Sequence, residues 1–206
     1  MVNLIKHPLL NHKLAILRQK ETTTKEFRET IKEITALMTY EITRDLPTKK
    51  VTVETPLETC GAEKLASEIT LIPVLRAGLG MVEGISELIS TARIGHIGIY
   101  RDHNTLKPTA YFSKLPPNLS DSIVIVLDPM LATGGSASDA IKILKDNGAK
   151  IIKLVCIVGS PEGIERISKD HPDIQVYLAG LDEKLNQNGY IVPGLGDAGD
   201  RLFGTM

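Results

Sequence analysis

The sequence predicts an α/β fold, a mainly parallel central sheet flanked by helices, and two observations predict it. Apolar, β-branched runs recur at residues 69–75, 94–100, 123–127, 151–158 and 174–178. Between them, apolar residues return every three or four positions. Strands buried on both faces read as continuous apolar runs, and crossover helices supply the covering layers. Such sheets bind ligands beyond the carboxyl ends of their strands. Chemistry is therefore expected after Leu75, Tyr100 and Leu127, and in the tail after Leu178.

The first strong element is a helix. Thr23 and Glu26 have capping-box spacing, and Phe27, Ile31, Ile34, Met38 and Ile42 follow along one face. Pro47 closes it. Val51, Val53 and Leu57 alternate with polar residues, which predicts a short, half-exposed strand pair. The run 69–75, broken only by Thr70 and Pro73, is the first central strand, and a helix over 78–89 follows it. After the second strand, residues up to about 121 hold Pro108, Pro116 and Pro117 without helical spacing, the mark of a functional lid. Ile-Val-Ile-Val-Leu at 123–127 is the third strand. A helix over 136–147, stopped by Gly148, leads to the fourth strand, which contains Cys156. Ser160-Pro161 is an N-cap and first-turn pair for the next helix. The tail, with Gly189, Pro193, Gly194, Gly196 and Gly199, predicts an ordered loop without regular structure. Tyr190, Ile191, Val192 and Leu195 anchor it, and its backbone groups suit a small flat ligand.

Composition narrows the class. The chain has 206 residues, which suits one domain, and a hydrophobic fraction of 42%, enough for a sizeable core. Lys and Arg number 24 against 25 Asp and Glu, which argues against coating nucleic acid or an anionic membrane. Cys60 and Cys156 are far apart and suggest neither a disulfide scaffold nor a zinc site. The first ten residues do not read as a signal peptide, and no run reaches the about 18 apolar residues of a membrane span. A cytoplasmic protein is expected.

Three segments carry the chemistry. After the most apolar strand comes Asp128-Pro129-Met130-Leu131-Ala132-Thr133-Gly134-Gly135-Ser136. Small residues, hydroxyls and approachable N–H groups at a helix N-terminus suit a phosphate monoester, and a carboxylate at the strand end suits a sugar diol. The same residues also serve an ordinary strand-to-helix turn. The loop is neither a Walker A sequence nor a dinucleotide fingerprint. Arg76, followed by Gly78, puts a cation at the end of the first strand, where it suits a pyrophosphate. Arg101 is placed to meet the same group from the other side. His103, two residues on, has a place that suits a general base, although a loop histidine is more often simply solvated.

These motifs resemble one family. DPMLATGGS, with Pro129 where most type I phosphoribosyltransferases carry a second acidic residue, resembles the loop of the uracil phosphoribosyltransferases, and GLGDAGDR in the tail resembles their base-binding hood. HPLL at 7–10, TKEFR at 24–28 and YEITRD at 40–45 extend the likeness over essentially the whole chain. The resemblance implies a type I phosphoribosyltransferase fold with an N-terminal helix, a β-hairpin arm and a C-terminal hood. It implies one domain over 1–206, divided into a helical and arm region 1–60, a core 61–180 and the hood 181–206. It implies that phosphoribosyl pyrophosphate meets Arg76, Arg101, the loop from Asp128 through Pro129, Met130, Leu131, Ala132, Thr133, Gly134 and Gly135 to Ser136, and Asp197. Uracil would meet Tyr190, Ile191, Gly196, Asp197 and Ala198. Asp128, Arg76 and Arg101 would carry catalysis, with Mg²⁺ held by donor oxygens and water near Asp197, in a homodimer or larger assembly. A phosphoribosyltransferase for another base, an RNA-binding regulator and an inactive flavodoxin-like binding domain remain open at this point.

Overall fold

The computed structural model describes residues 1–101 and 108–205, apart from the side chains of Arg101 and Pro108. In chain order the elements are β1 (Val2–Leu4), α1 (Pro8–Arg18), α2 (Thr24–Ile42), β2 (Thr48–Glu54), β3 (Thr59–Leu65), β4 (Glu68–Leu75) and α3 (Leu79–Ser86). Then come β5 (Arg93–Ile94), β6 (His96–Arg101), β7 (Pro108–Lys114), β8 (Ser122–Leu127), β9 (Met130–Leu131) and α4 (Gly135–Asp146). The chain closes with β10 (Ile151–Gly159), α5 (Pro161–Asp170), β11 (Gln175–Leu181), β12 (Lys184–Leu185), β13 (Ile191–Val192) and α6 (Ala198–Phe203).

The main sheet runs β1-β11-β10-β8-β4-β6-β7, with β5 also on β4 and β9 also on β10. Its pairings are parallel except β6 with β7. Period-two geometry explains why the central runs have no polar break. In β8, Ile125 and Leu127 pack into the layer formed with α1, α2, α3 and α6. Val124 and Val126 pack into the opposite layer, with α4 and α5. Both faces are covered, so both phases of the strand are apolar. Cys156 lies wholly inside the second layer, where burial pushes its thiol well above the usual range.

Helix α2 forms as its caps and spacing predict. Thr23 Oγ1 accepts from Glu26 N, and the Glu26 carboxylate accepts from Thr23 N. Phe27, Ile31, Ile34, Met38 and Ile42 are completely buried. The far end of α2 is held by Lys153 of β10, which is 3% exposed. Its ammonium donates to Ile42 O at 2.7 Å and to the Asp45 carboxylate, which it holds below the usual carboxylate range.

The expected strand pair near 51–57 is a longer hairpin, β2 with β3, from Thr48↔Leu65 to Glu54↔Thr59, separate from the main sheet. Four departures have physical reasons. β1 is three residues long and pairs only across the whole chain, Val2↔Val176 to Leu4↔Leu178, so no local signal marks it. α1 starts at an unusual cap, His7 Nδ1 accepting from Leu9 N, with Pro8 in the first turn. The stretch expected to be a lid contains the edge strand β7, antiparallel to β6 with an irregularity at Gly98 and Ile99. The tail expected to lack regular structure forms the short pair β12–β13 and then α6, because Asp197 caps α6 by accepting from Asp200 N at 2.9 Å. The glycines that discouraged a helical reading lie almost wholly before the helix begins.

Candidate active site

The carboxyl ends of β4, β6 and β8 open on a cleft of about 770 Å³ that the tail covers from the side. Arg76 reaches it from the end of β4, after a cis Leu75–Arg76 peptide. Gly78, two residues on, is fixed by space: a Cβ there would sit 2.3 Å from Leu127 O. The end of β4 and the end of β8 therefore approach each other more closely than any side chain permits.

Asp128 lies on the cleft floor, where β8 ends. Its Oδ1 accepts from Met130 N at 3.2 Å, and its own N–H donates to Val155 O. That single amide donor compensates little of the cost of removing a carboxylate from water. Burial pushes the carboxyl up to about 6. Met130 and Ala132 also line the cleft. Pro129 and Leu131 do not; they serve the sheet, Pro129 O accepting from Ile157 N and Val158 N, and Leu131 O from Ser160 N. Next, Gly134 takes the left-handed conformation (φ +73°), and α4 begins at Gly135 without a side-chain cap. The first-turn N–H groups of Gly135 and Ser136 thus open an uncapped helix N-terminus, with the positive end of the α4 dipole behind them. Thr133 stands immediately before this turn.

The tail supplies the opposite wall. Tyr190, Ile191, Gly196, Asp197 and Ala198 all line the cleft. Val192–Pro193 is cis, and Gly194 and Gly196 adopt positive φ (+63° and +77°). These bends turn successive peptide groups in directions that β or helical backbone does not allow. Arg101 closes β6, but its side chain lies outside the described residues, as do Asp102 and His103.

Sequence reasoning missed five contributors. Tyr100 and Tyr111 form an aromatic pair on the cleft wall, ring centroids 6.2 Å apart, with Tyr111 lying over Gly98. Gln187 and Asn188 line the side next to Tyr190. The alternating PTAYFSK was the readable signal for the tyrosine pair. Asp200 is the partner of Arg76: Arg76 Nη2 donates to it at 3.2 Å, and Thr205 Oγ1 donates to the same oxygen at 2.7 Å. The guanidinium also lies 5.9 Å from the centre of the Phe203 ring. Because the Arg76 side chain is more than half exposed, this ion pair is weak enough to yield to a polyanion.

The cleft thus brings together a cation, a half-buried carboxylate and a backbone-rich loop; Thr133, Gly134, Gly135 and Ser136, at the uncapped start of α4, follow its last lining residue on that side, Ala132. The chain resembles known proteins over nearly its whole length. The family model for uracil phosphoribosyltransferase matches residues 4–205. A uracil phosphoribosyltransferase of Acholeplasma laidlawii is 57% identical over 201 residues, covering 98% of this chain and 97% of that one. One of Halalkalibacterium halodurans is 58% identical over 200 residues, covering 97% and 96%. A solved protein of Aquifex aeolicus superposes with a TM-score of 0.95 at 37% identity, over 98% of both chains. A hypoxanthine phosphoribosyltransferase of Staphylococcus aureus shares the fold alone, with a TM-score of 0.52 and 13% identity over 77% of this chain and 76% of that one.

Proposed function

The chain belongs to the uracil phosphoribosyltransferase family, and from that premise we infer that it transfers the phosphoribosyl group of 5-phospho-α-D-ribose 1-diphosphate to N1 of uracil, releasing diphosphate and UMP. The observation that carries the reading at the level of residues is the convergence of Arg76, Asp128 and the tail on one cleft.

The C1–O bond to diphosphate breaks as the bond to uracil N1 forms and the N1 proton is lost to water or the departing diphosphate, with positive charge on the ribose ring and negative charge on the leaving group. Little covalent work falls to the protein. It must orient two substrates and stabilise separating charge. In this reading Asp128 accepts hydrogen bonds from the ribose hydroxyls and, once ionised, favours the developing cation. The N–H groups of Gly135 and Ser136, with Thr133, hold the 5-phosphate at the start of α4. Arg76 exchanges Asp200 for the diphosphate, and Arg101 meets it from β6. Among the described residues no group of three His, Cys, Asp or Glu converges on a metal position. Asp197 is occupied in capping α6, and Asp200 in pairing with Arg76. Mg²⁺ would bind as a companion of the diphosphate, with the donor's oxygens and water as its ligands near Asp197, and would supply charge neutralisation on the leaving group.

Uracil presents acceptor, donor and acceptor along O2, N3–H and O4, which the backbone groups of Ile191, Gly196 and Ala198 complement, while Tyr190 and Asp197 flank the base. Cytosine reverses two of the three. Each buried unpaired polar group costs about 1–3 kcal/mol, so the mismatches disfavour it strongly. The same reading gives a cytoplasmic, single-domain enzyme that assembles as a homodimer or larger. Among the described residues no helix is long and apolar enough to cross a membrane. The exposed β2–β3 hairpin, with Leu57 and Leu65 open to solvent, is the candidate contact between subunits. Diphosphate release with phosphoribosyl pyrophosphate, Mg²⁺ and each of uracil, cytosine, hypoxanthine and adenine tests the assignment. Turnover with uracil alone is expected; preference for another base would overturn the reading of the tail, and no turnover would overturn the activity.

A further inference from the structure

Behind the cleft, three charged side chains hold the tail, and none of them lines the cleft itself. Arg18, the last residue of α1, donates from Nη1 to Asp182 Oδ2 and to Gly194 O, both at 2.8 Å, and from Nη2 to Asp182 Oδ1 at 2.7 Å. Asp182 Oδ2 accepts in turn from Gly194 N at 2.8 Å. One ion pair thus grips both polar groups of Gly194. Arg201, buried in α6, donates to Leu195 O at 2.8 Å, to Leu17 O, and to Gln19 O at 2.6 Å. Its guanidinium lies 4.3 Å from the centre of the buried Phe27 ring.

Buried charge is an expensive way to hold a loop: apolar side chains of the same volume often stabilise a fold as well or better. What apolar packing does not supply is direction. A bidentate guanidinium fixes the orientation of the carbonyl it meets, because its donors lie in one rigid plane. The peptide groups held here, at Gly194 and Leu195, stand between Ile191 on one side and Gly196 and Ala198 on the other. Gly194 itself admits no side chain, since a Cβ would meet Ile191 O at 2.1 Å. A loop that reads a flat base with its backbone depends on how each peptide plane is turned. A misplacement of about 1 Å costs on the order of a hundredfold in such sites.

We propose that Arg18, Asp182 and Arg201 are positioning residues for base recognition: they fix the peptide planes at Gly194 and Leu195, and through them the base-facing groups of Ile191, Gly196 and Ala198. The proposal rests on the reading of the tail as the uracil site. It separates the two substrates, because none of the three side chains contacts Arg76 or Asp128 in the hydrogen bonds that define them.

Steady-state kinetics of Asp182→Asn and Arg18→Lys in the full chain test this, with uracil and phosphoribosyl pyrophosphate varied separately and melting temperatures recorded. Gly196→Ala, strained at φ +77°, serves as the direct perturbation of the loop. Both outer variants are expected to raise the uracil KM about tenfold or more and to leave the KM for the donor within about twofold. The double variant should be little worse than the worse single one, because the pair acts as a unit. An unchanged uracil KM, or parallel rises in both KM values with a lower melting temperature, would overturn the proposal. If Gly196→Ala raises the uracil KM while the outer variants do not, only the positioning role fails. If none of the three changes it, the base-site reading fails as well. Should Asp182→Asn fail to fold, Arg18→Lys decides alone, since the Arg18 side chain is 28% exposed and the lysine keeps its charge.

Discussion

Asp128 is asked to be two things. Its removal from water favours the neutral acid, and the carboxyl is pushed up to about 6. To accept hydrogen bonds from ribose hydroxyls with both oxygens it must be ionised. On the proposed role of Asp128, donor binding competes with protonation. The KM for phosphoribosyl pyrophosphate is expected to rise as pH falls through about 6, and Asp128→Asn, which has no carboxyl to titrate, should bind weakly but without that inflection. A pH series of initial rates for both proteins checks this. The sign for stability is opposite. A carboxyl whose folded pKa is raised burdens the fold above about 6, and the burden lifts as pH falls towards its ordinary range. The melting temperature of the native protein should therefore gain on that of Asp128→Asn between pH 7 and pH 4.5. A difference that stays flat over that range would show that Asp128 is solvated in the folded protein.

At the scale of elements, what was legible followed from burial on both faces. The runs at 123–127 and 151–158 become β8 and β10 because nearly every residue, whichever way it points, is buried, Ile151 at the open end of β10 being the exception. The loop from Asp128 to Ser136 was legible for the same reason, since a strand that apolar has only one place to end. β1, β7 and α6 were not legible. β1 is defined by residues more than 170 positions away, β7 is an edge strand beyond a prolyl stretch, and α6 is six residues long behind a run of glycines. The charged residues that bind elements together were hidden as well. Lys153 sits in an apolar run and looks like an interruption, yet it ties β10 to the last carbonyl of α2. Lys153→Met should cost about 1–3 kcal/mol by leaving Ile42 O without its donor. It should leave both KM values unchanged, because Lys153 lies towards the opposite end of the strands from the cleft. Urea unfolding and kinetics on the same preparation would separate the two effects, and a changed KM would contradict this division of labour between the two ends of the sheet.

At the scale of the molecule, the tail is part of the core as well as of the cleft. Leu202 of α6 is 1% exposed, packs in the same layer as α2, and approaches the position of Gly80. Its carbonyl accepts from Arg28 Nε at 2.5 Å. The helix that carries Asp200 and begins at Asp197 is therefore anchored by apolar burial on α2. Leu202→Ala should cost about 2–5 kcal/mol through the cavity it leaves. Because α6 bears on both halves of the cleft, the KM for each substrate should rise, in contrast to the selective effect expected of Asp182→Asn. Urea midpoints together with the two KM values distinguish a loosened helix from an intact one.

The pairing of β1 with β11 has a consequence in time. Met1 and its partner Ile174 are 173 residues apart. During synthesis, at roughly 5–20 residues per second, the segment 2–4 leaves the ribosome on the order of ten to thirty seconds before 176–178 exists to receive it. Until then the segment 2–4 has nothing to pair with, because β11, and β10 beside it, are both made late. A segment made early is thus among the last to be placed, and the nascent chain must carry it unpaired until the sheet is nearly whole.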